Sequence, residues 1–422
     1  MQLTDDQKAA HAAFTAFMVS PDKEMVISGP AGVGKSTLLK HLMQDQDHVK
    51  IQQLLGDEAI TDWRLSATTN KAAEVLQGST GEEASTVHSL LGIQVRNDYK
   101  TGQTKLSRKP NAPILSNALL VVDECSMIDR TLDNLIDQST YRCKILYVGD
   151  HCQMAPVMED LSPVFQRNTP VELRQIVRSQ HTPAITHLCQ QLRATVETGV
   201  FNPIAAEPGV IDYLEPEAAM AEMKRFFVDD PEGLGRTARV LAYRNDQVIG
   251  FNNWIRSERG MPPNLTAGEW VISNAATCLI GSQSGRLRIE QEVPIIDVGE
   301  VVSFKVGAGV HLDARIITTG QGEVWMAEDR AHVDALLKHY AKQQDWGAYF
   351  KIKENLADLR PRDAATVYKA QGSTYHTVFV DLKDIGRCTN PNQAARMLYV
   401  ACSRPTHRIC FIGDLPARFR GG

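Results

Sequence analysis

Residues 29–37 read Gly-Pro-Ala-Gly-Val-Gly-Lys-Ser-Thr. Glycines at 29, 32 and 34 free the backbone to curl, and neither a helix interior nor a strand interior gains from them. The run before this segment, Met25 to Ile27, is apolar and strand-like, and Lys35 to Met43 after it has helical spacing. The pattern GxxxxGK[ST] thus stands between a strand and a helix, the context it requires. There, several backbone N–H groups point at one spot and the helix N-terminus adds positive partial charge, which suits a phosphate. Lys35 then reaches the β- and γ-phosphates and the Ser36 hydroxyl ligates Mg²⁺, while Gly29, Gly32, Val33, Gly34 and Thr37 complete the cradle.

Other short apolar runs recur at Leu119 to Val122, Ile145 to Val148, Val240 to Ala242, Val378 to Val380 and Ile409 to Ile412. Helical patterns such as Lys71 to Leu76 lie between many of them. Continuous apolar strands alternating with helices imply an α/β fold with parallel sheets. One cluster of strands precedes residue 150 and another follows 238, so two sheet domains are expected. No run of about 18 apolar residues is present, so no membrane span is expected. The polar start MQLTDDQKAAHAAF is not that of a secretory signal. Eight cysteines form no CxxC pair, which argues against zinc and for a reducing, cytoplasmic setting. Lys and Arg number 45 against 50 for Asp and Glu, so any polyanion must meet a local stripe of cations rather than a basic whole.

A phosphate-binding turn needs a partner acid. Leu119 to Val122 ends in Asp123-Glu124, and strand alternation points the two carboxylates apart. Asp123 is placed to hold Mg²⁺ and Glu124 to polarise an attacking water. The run Ile145 to Val148 ends in Gly-Asp-His-Cys-Gln, where the neutral amide of Gln153 can sense a γ-phosphate. His151 and Cys152 lack further metal ligands and read as loop residues.

Two segments break the rhythm. Residues 92–113 hold two alternating stretches around Lys-Thr-Gly-Gln, a β-hairpin with Gly102 supplying positive φ. Five of its residues are basic between Arg96 and Lys109, and a solvated surface hairpin is the plainer reading of those residues alone. Residues 260–362 are Val-rich and Gly-punctuated, a small β module, with a charged helical stretch from Arg330 to Leu359.

In that order, the phosphate turn, DECSM and VGDHCQMAPV resemble a superfamily 1 helicase. ELRQIVRS resembles the family segment whose arginine, here Arg178, reaches the γ-phosphate. VYKAQGST resembles the motif that couples DNA to ATP, and LYVACSR the last motif, with Arg404 as a second arginine finger. Gln7 sits where the family reads the adenine edge. The resemblance spans nearly the whole chain and lies with the 5′-to-3′ branch, nearest the compact Dda-type phage helicases, with RecD and Pif-type enzymes more distant. Ala84 to Leu90 and the short length carry that choice. Val177 stands where the 3′-to-5′ branch has an aromatic, so what stacks on the adenine is unassigned. Tyr368 stands where the Dda and RecD patterns usually have His, and Cys125 replaces a small residue and reads as packing.

The resemblance implies two RecA-like parallel-sheet domains: 1A (1–91 and 114–175) and 2A (176–259 and 363–422). It makes 92–113 the strand-separating pin, domain 1B, and 260–362 an SH3-like barrel, domain 2B. It implies ATP and Mg²⁺ at a cleft between the RecA-like domains, with Gly372 near the nucleotide. It implies a monomer that moves 5′ to 3′ on single-stranded DNA and opens fork DNA, with a single-strand-binding protein as a further partner. Thr69, Asn70, Lys71, Thr86, His88, Tyr368, Lys369, Ser373 and Thr374 are the expected DNA contacts, and Tyr99 the expected wedge at the fork. Thr69 and Thr86 also read as helix N-caps, and His88 equally as a core or capping histidine. Trp254, Trp270, Trp325 and Trp346 can stack on bases, although core packing suits them better. Two alternatives use the same residues: a translocase that strips proteins from DNA, and a nucleotide-switched binding module with little turnover.

Overall fold

The computed structural model describes residues 3–45, 50, 60, 62–156, 159–177, 182–282, 285–307 and 310–421. The chain packs as two compact units, one of 1–95, 106–214 and 370–422, the other of 96–105 and 215–369.

The first unit opens with helix α1 (Asp5–Val19), strand β1 (Glu24–Ser28) and helix α2 (Lys35–Met43). Then come β2 (Asp62–Ala67), α3 (Asn70–Thr80), β3 (Ala84–Thr86), α4 (Val87–Leu90) and a two-stranded hairpin of β4 (Ile93–Asn97) and β5 (Thr104–Arg108), of which residues 96–105 count with the second unit. Next are β6 (Ala118–Asp123), α5 (Arg130–Gln138), β7 (Lys144–Gly149) and β8 (Val171–Glu172). Six strands form one parallel sheet in the order β8-β1-β7-β6-β2-β3. The centre of this sheet is covered on both faces, which is why β1, β6 and β7 read as unbroken apolar runs. Strand alternation divides their side chains between two cores. Ile27, Val121, Leu146 and Val148 face α1 and α2 through Phe14, Leu38 and Leu42. Val26, Leu120, Val122 and Tyr147 face Ile128, Leu132 and Phe165.

Helix α6 (Pro183–Thr198) and strand β9 (Ile211–Leu214) continue the first unit. In the second unit, β10 (Ala238–Ala242) is followed by α7 (Asn245–Glu258), β11 (Trp270–Ser273), the long β12 (Glu292–Gly307), β13 (Val310–Thr319) and β14 (Gly322–Ala327). Helices α8 (Arg330–Gln343) and α9 (Trp346–Asn355) and strands β15 (Leu359–Pro361) and β16 (Ala364–Thr366) complete it. The expected charged helix is therefore two helices. Gln344 takes a left-handed φ of 57° and the Asp345 carboxylate then caps α9 at Ala348 N–H. Strands β14, β13, β12, β11 and β15 form an antiparallel sheet in that order. Register shifts along β12 near Ile295, Val298 and Lys305 let this 16-residue strand bend. Trp325 packs at the core where Phe304 and Leu312 meet Val333, Tyr340 and Ile352. The expected β module is thus an antiparallel sheet backed by two helices.

Back in the first unit lie β17 (Tyr375–Asp381), helix α10 (Pro391–Cys402) and β18 (Pro405–Ile412), with β18 parallel to both β9 and β17. In the second unit β10 runs parallel to β16. Apart from β9, which precedes residue 238, these strands are the second parallel set expected there.

The hairpin turn forms as expected, with Gly102 at φ 71°. Gly102 N–H donates to Asp98 O at 2.8 Å, and the Asp98 carboxylate accepts from Lys100 N, Thr101 N and Thr101 Oγ1. A side chain at 102 would also strike Trp346, whose ring lies 2.3 Å from where a Cβ would sit. The Tyr99 ring meets Phe350 edge-on at 5.1 Å and its hydroxyl donates to Glu354 at 3.2 Å, while 54% of the residue remains exposed. The tip is braced on α9 rather than free in solvent.

Candidate active site

The phosphate turn is shaped by β1 and α2. Gly32 and Gly34 take φ of 84° and 78°, and the loop wraps the first turn of α2. Neighbours fix its outer side. Gly29 N–H donates to Gly149 O at 3.0 Å, and Val177 N–H to Gly32 O at 3.0 Å. A Cβ at 29 would lie 2.6 Å from Leu173 O, so this glycine is required by close approach. Gln7 is buried. Its amide closes a capping box with Thr4 and donates to Val33 O at 2.9 Å. The adenine-reading candidate therefore also buttresses the turn. Lys35 Nζ donates to Gly29 O at 2.7 Å and Pro30 O at 3.0 Å, two carbonyls that an incoming phosphate would replace as partners. Ser36 and Thr37 are half-buried beside it.

Asp123 ends β6 and accepts Glu124 N–H at 2.9 Å. Burial, with the Glu124 carboxylate next to it, pushes the Asp123 carboxyl up to about 7 against the pull of Lys35. Two adjacent carboxylates, one of them fully buried with only Lys35 acting on it as a cation, fit a divalent cation. Glu124 adopts φ 54°, and its Oε2 lies 3.4 Å from Gln371 Nε2, which also donates to Ser126 Oγ at 3.1 Å. Cys125 is fully buried, with its sulfur where a Cβ on Gly149 would fall, so packing explains it.

Gln153 is 4% exposed and its Oε1 has no hydrogen-bond partner. Burying an unsatisfied amide oxygen is costly, and sites that await a ligand tolerate it. The loop that carries Gln153 is held from two helices. Arg396 on α10 donates to the carbonyls of His151 (2.5 Å) and Gln153 (2.6 Å). Asp150, fully buried, accepts from Arg193 on α6, from Tyr399 OH on α10 at 2.6 Å and from Cys152 N at 3.1 Å. Burial alone would raise the Asp150 carboxyl; Arg193, Lys35 and the tyrosine together hold it below its ordinary value.

Arg404 follows α10, and its guanidinium is turned inward to Val400 O at 3.0 Å, Ser373 O at 3.3 Å and Ser403 Oγ at 2.7 Å. Arg178 lies outside the described residues. Lys71, on α3, donates to Ser373 Oγ at 2.9 Å, which joins two expected DNA contacts directly. Thr69 and Thr86 are N-caps of α3 and α4, accepting from Ala72 N and Ser89 N. Asn70 is the first residue of α3. His88 on α4 is half-buried and its imidazole is lowered by that burial. Gly372 takes φ 77°, and Thr374 is exposed. Tyr368 and Lys369 sit half-buried on the short helix Val367–Ala370 in the second unit. The first unit thus gathers the phosphate turn, both acids, Gln153 and Gln7, and also holds Ser373 and Arg404. Tyr99, Tyr368 and Lys369 belong to the other unit.

Sequence reasoning missed Arg193, Gln371, Arg396 and Tyr399. Arg396 and Tyr399 are one helical turn apart on α10, but nothing in that spacing names a loop some 245 residues earlier as their target.

A family model described as an AAA domain matches residues 2–207, and one described as UvrD-like helicase C-terminal domain matches 363–412. The ATP-dependent DNA helicase dda of Enterobacteria phage T4 is 25% identical over 454 residues, covering 97% of this chain and 99% of its own length. The chain is a superfamily 1 helicase related to Dda and RecD. This helicase is also 33% identical over 157 residues to the ATP-dependent RecD2 DNA helicase of Deinococcus radiodurans, covering 36% of this chain and 19% of that one. Among solved structures, the Pif1 helicase from Bacteroides in complex with ADP-AlF3 and ssDNA aligns with all of this chain and 95% of its own at TM-score 0.51 and 15% identity. That likeness, with the two parallel strand sets, bears out two RecA-like domains in this helicase.

Proposed function

We propose that the chain is an ATP-dependent DNA helicase that moves 5′ to 3′ on single-stranded DNA and unwinds duplex. The observation that carries this is an acid pair acted on by Lys35 of the phosphate turn, with a buried amide of unsatisfied oxygen on the loop after the neighbouring strand β7, in a chain that matches a phage DNA helicase over 97% of its length. In this reading ATP lies on residues 29–37, with Gln7 at the adenine edge, and the cleft between the RecA-like domains closes on it. Lys35 exchanges its loop carbonyls for the β- and γ-phosphates. Ser36 and Asp123 would hold Mg²⁺, which supplies charge neutralisation at the phosphates. Glu124 orients and deprotonates the attacking water, Gln153 meets the γ-phosphate through its amide, and Arg178 and Arg404 supply positive charge as the leaving group departs.

Thr69, Asn70, Lys71, Thr86, His88, Tyr368, Lys369, Ser373 and Thr374 track the DNA backbone. The hairpin, domain 1B, is the pin and Tyr99 its wedge, and the β module of the second unit is the SH3-like domain 2B. The bracing of Tyr99 by Phe350 and Glu354 supports a pin that resists bending when it meets a duplex. We place this helicase in the cytoplasm as a monomer working beside a single-strand-binding protein. Unwinding of duplexes with a 5′ or a 3′ single-stranded overhang is the test. ATP-dependent strand separation only from the 5′ overhang is expected; equal activity on both, or on the 3′ overhang alone, rejects the polarity. A protein-displacing translocase would instead move along single strands and leave forks closed.

A further inference from the structure

We propose that Arg193 is a positioning residue for ATP hydrolysis, acting through Asp150 to hold the γ-phosphate-facing loop 150–153 against the helix that leads to Arg404. The inference rests on the proposed function and adds a residue to it.

The geometry is a chain of contacts within the first unit. Arg193, on α6, is 13% exposed at its side chain and ion-pairs with the fully buried Asp150. The other Asp150 oxygen accepts the Tyr399 hydroxyl at 2.6 Å. A carboxylate removed from water needs such donors, and the arginine fork supplies a fixed, directional one. Asp150 in turn opens the loop. Its oxygens accept Cys152 N–H, and its carbonyl accepts Gln153 N–H at 3.1 Å. Gln153 is thereby set with its Oε1 buried and without a partner. From the other side, Arg396 clamps the His151 and Gln153 carbonyls. Tyr399 and Arg396 both belong to α10, which ends at Cys402, two residues before Arg404. One more observation directs this network to the nucleotide. Arg193, Tyr399 and Ser403 line one small cavity together with Pro30 and Ala31, the second and third residues of the phosphate turn.

Arg193 also neutralises the buried Asp150 carboxylate, so its role in hydrolysis is read from the nucleotide dependence and not from stability alone. Glu197, which Arg193 also meets at 3.3 Å, is half-exposed and has water available. The Asp150–His151–Cys152 cluster does not read as a metal site, because the guanidinium already occupies the carboxylate and His151 Nδ1 bonds Ser28 Oγ at 2.8 Å. What the arginine adds is orientation: it fixes Asp150, hence the angle of Gln153 and the seating of α10.

The test uses the full chain with Arg193→Gln, Arg193→Lys and Tyr399→Phe. The readouts are DNA-stimulated ATPase and the ratio of the Kd for ADP to that for a non-hydrolysable ATP analogue. Arg193→Gln should lower kcat at least tenfold, leave the ADP Kd within about threefold and bring the Kd ratio toward one. Tyr399→Phe, which removes a single hydroxyl, should shift both quantities the same way by a smaller factor. Arg193→Lys should restore part of the kcat. A Kd ratio and kcat equal to wild type in folded Arg193→Gln overturn the inference. If that variant does not fold, wild-type values in Tyr399→Phe overturn it, as does a fall in thermal stability with no change in the ratio. Absence of DNA-stimulated ATPase in the wild type would instead reject the proposed function.

Discussion

Glu124 holds its carboxylate on a backbone φ of 54°, a conformation that costs a side-chain-bearing residue roughly 1–2 kcal/mol. The strain turns Glu124 out of line with β6, so that Asp123 and Glu124 serve different partners although they are adjacent. Glu124→Gln keeps the shape and removes the proposed base. It should bind ATP and DNA normally while kcat falls at least a hundredfold; a wild-type steady-state rate would remove Glu124 from that role. Arg404 is turned inward to Val400, Ser373 and Ser403, so the role of second finger proposed for it requires the side chain to turn toward the nucleotide. In that role, Arg404→Ala should leave nucleotide affinity nearly intact and reduce turnover about a thousandfold, as measured by equilibrium binding beside ATPase rates. His151 offers a pH test. Burial first, and then Arg193, lower its imidazole below the ordinary 6.5. Below that pH the unfolded chain binds the proton more readily than the folded one, so stability is full above about 6.5 and falls as the pH drops through it. The unfolding midpoint of wild type should fall between pH 7.5 and 5.5, and His151→Gln should flatten that slope. At this scale the phosphate turn and the acid pair were legible because local backbone chemistry encodes them. Gln371 beside Glu124 was not, because its partner lies 247 residues away.

At the scale of elements, the hairpin and its support make one device. Gly102 is needed twice, for its positive φ and for the approach of Trp346. A valine there should loosen the tip, read as faster amide exchange across residues 96–105, with translocation on single strands unchanged. Tyr99→Ala removes both the edge-on contact to Phe350 and the hydroxyl bond to Glu354. It should spare ATPase and translocation while lowering the unwinding rate severalfold in a fork assay; unwinding at the wild-type rate would end the wedge reading. The turn was legible from Lys-Thr-Gly-Gln, and Tyr99 stood out as an aromatic near a tip. Its brace was not legible, since α9 is some 250 residues later and reads only as part of a charged helical stretch. Even the break of that stretch at Gln344 escaped the sequence, because a left-handed glutamine carries no compositional mark.

At the scale of the whole molecule, buried parallel strands were the most legible feature: both faces of the sheet are covered, so each strand is a plain apolar run. By compactness the chain divides into two units, 1–95, 106–214 and 370–422 against 96–105 and 215–369. Buried hydrogen bonds tie α6 and α10, which pack on each other and on β18, to the loop 150–153 that follows β7. Such bonds leave no periodic trace in a sequence. The charge balance poses the last question, because a chain of net charge −5 has to hold a polyanion. Local cations must do it, and the DNA track proposed here depends on Lys71, already bonded to Ser373, and on Lys369. Each phosphate that is neutralised releases counterions, so log K for single-stranded DNA should fall linearly with log salt, by about 0.7 per contact. Lys71→Ala and Lys369→Ala should each weaken binding equally for all base sequences and flatten that slope by about 0.7. A variant that loses affinity with an unchanged slope would place its lysine off the track, and the bond to Ser373 would then be purely structural.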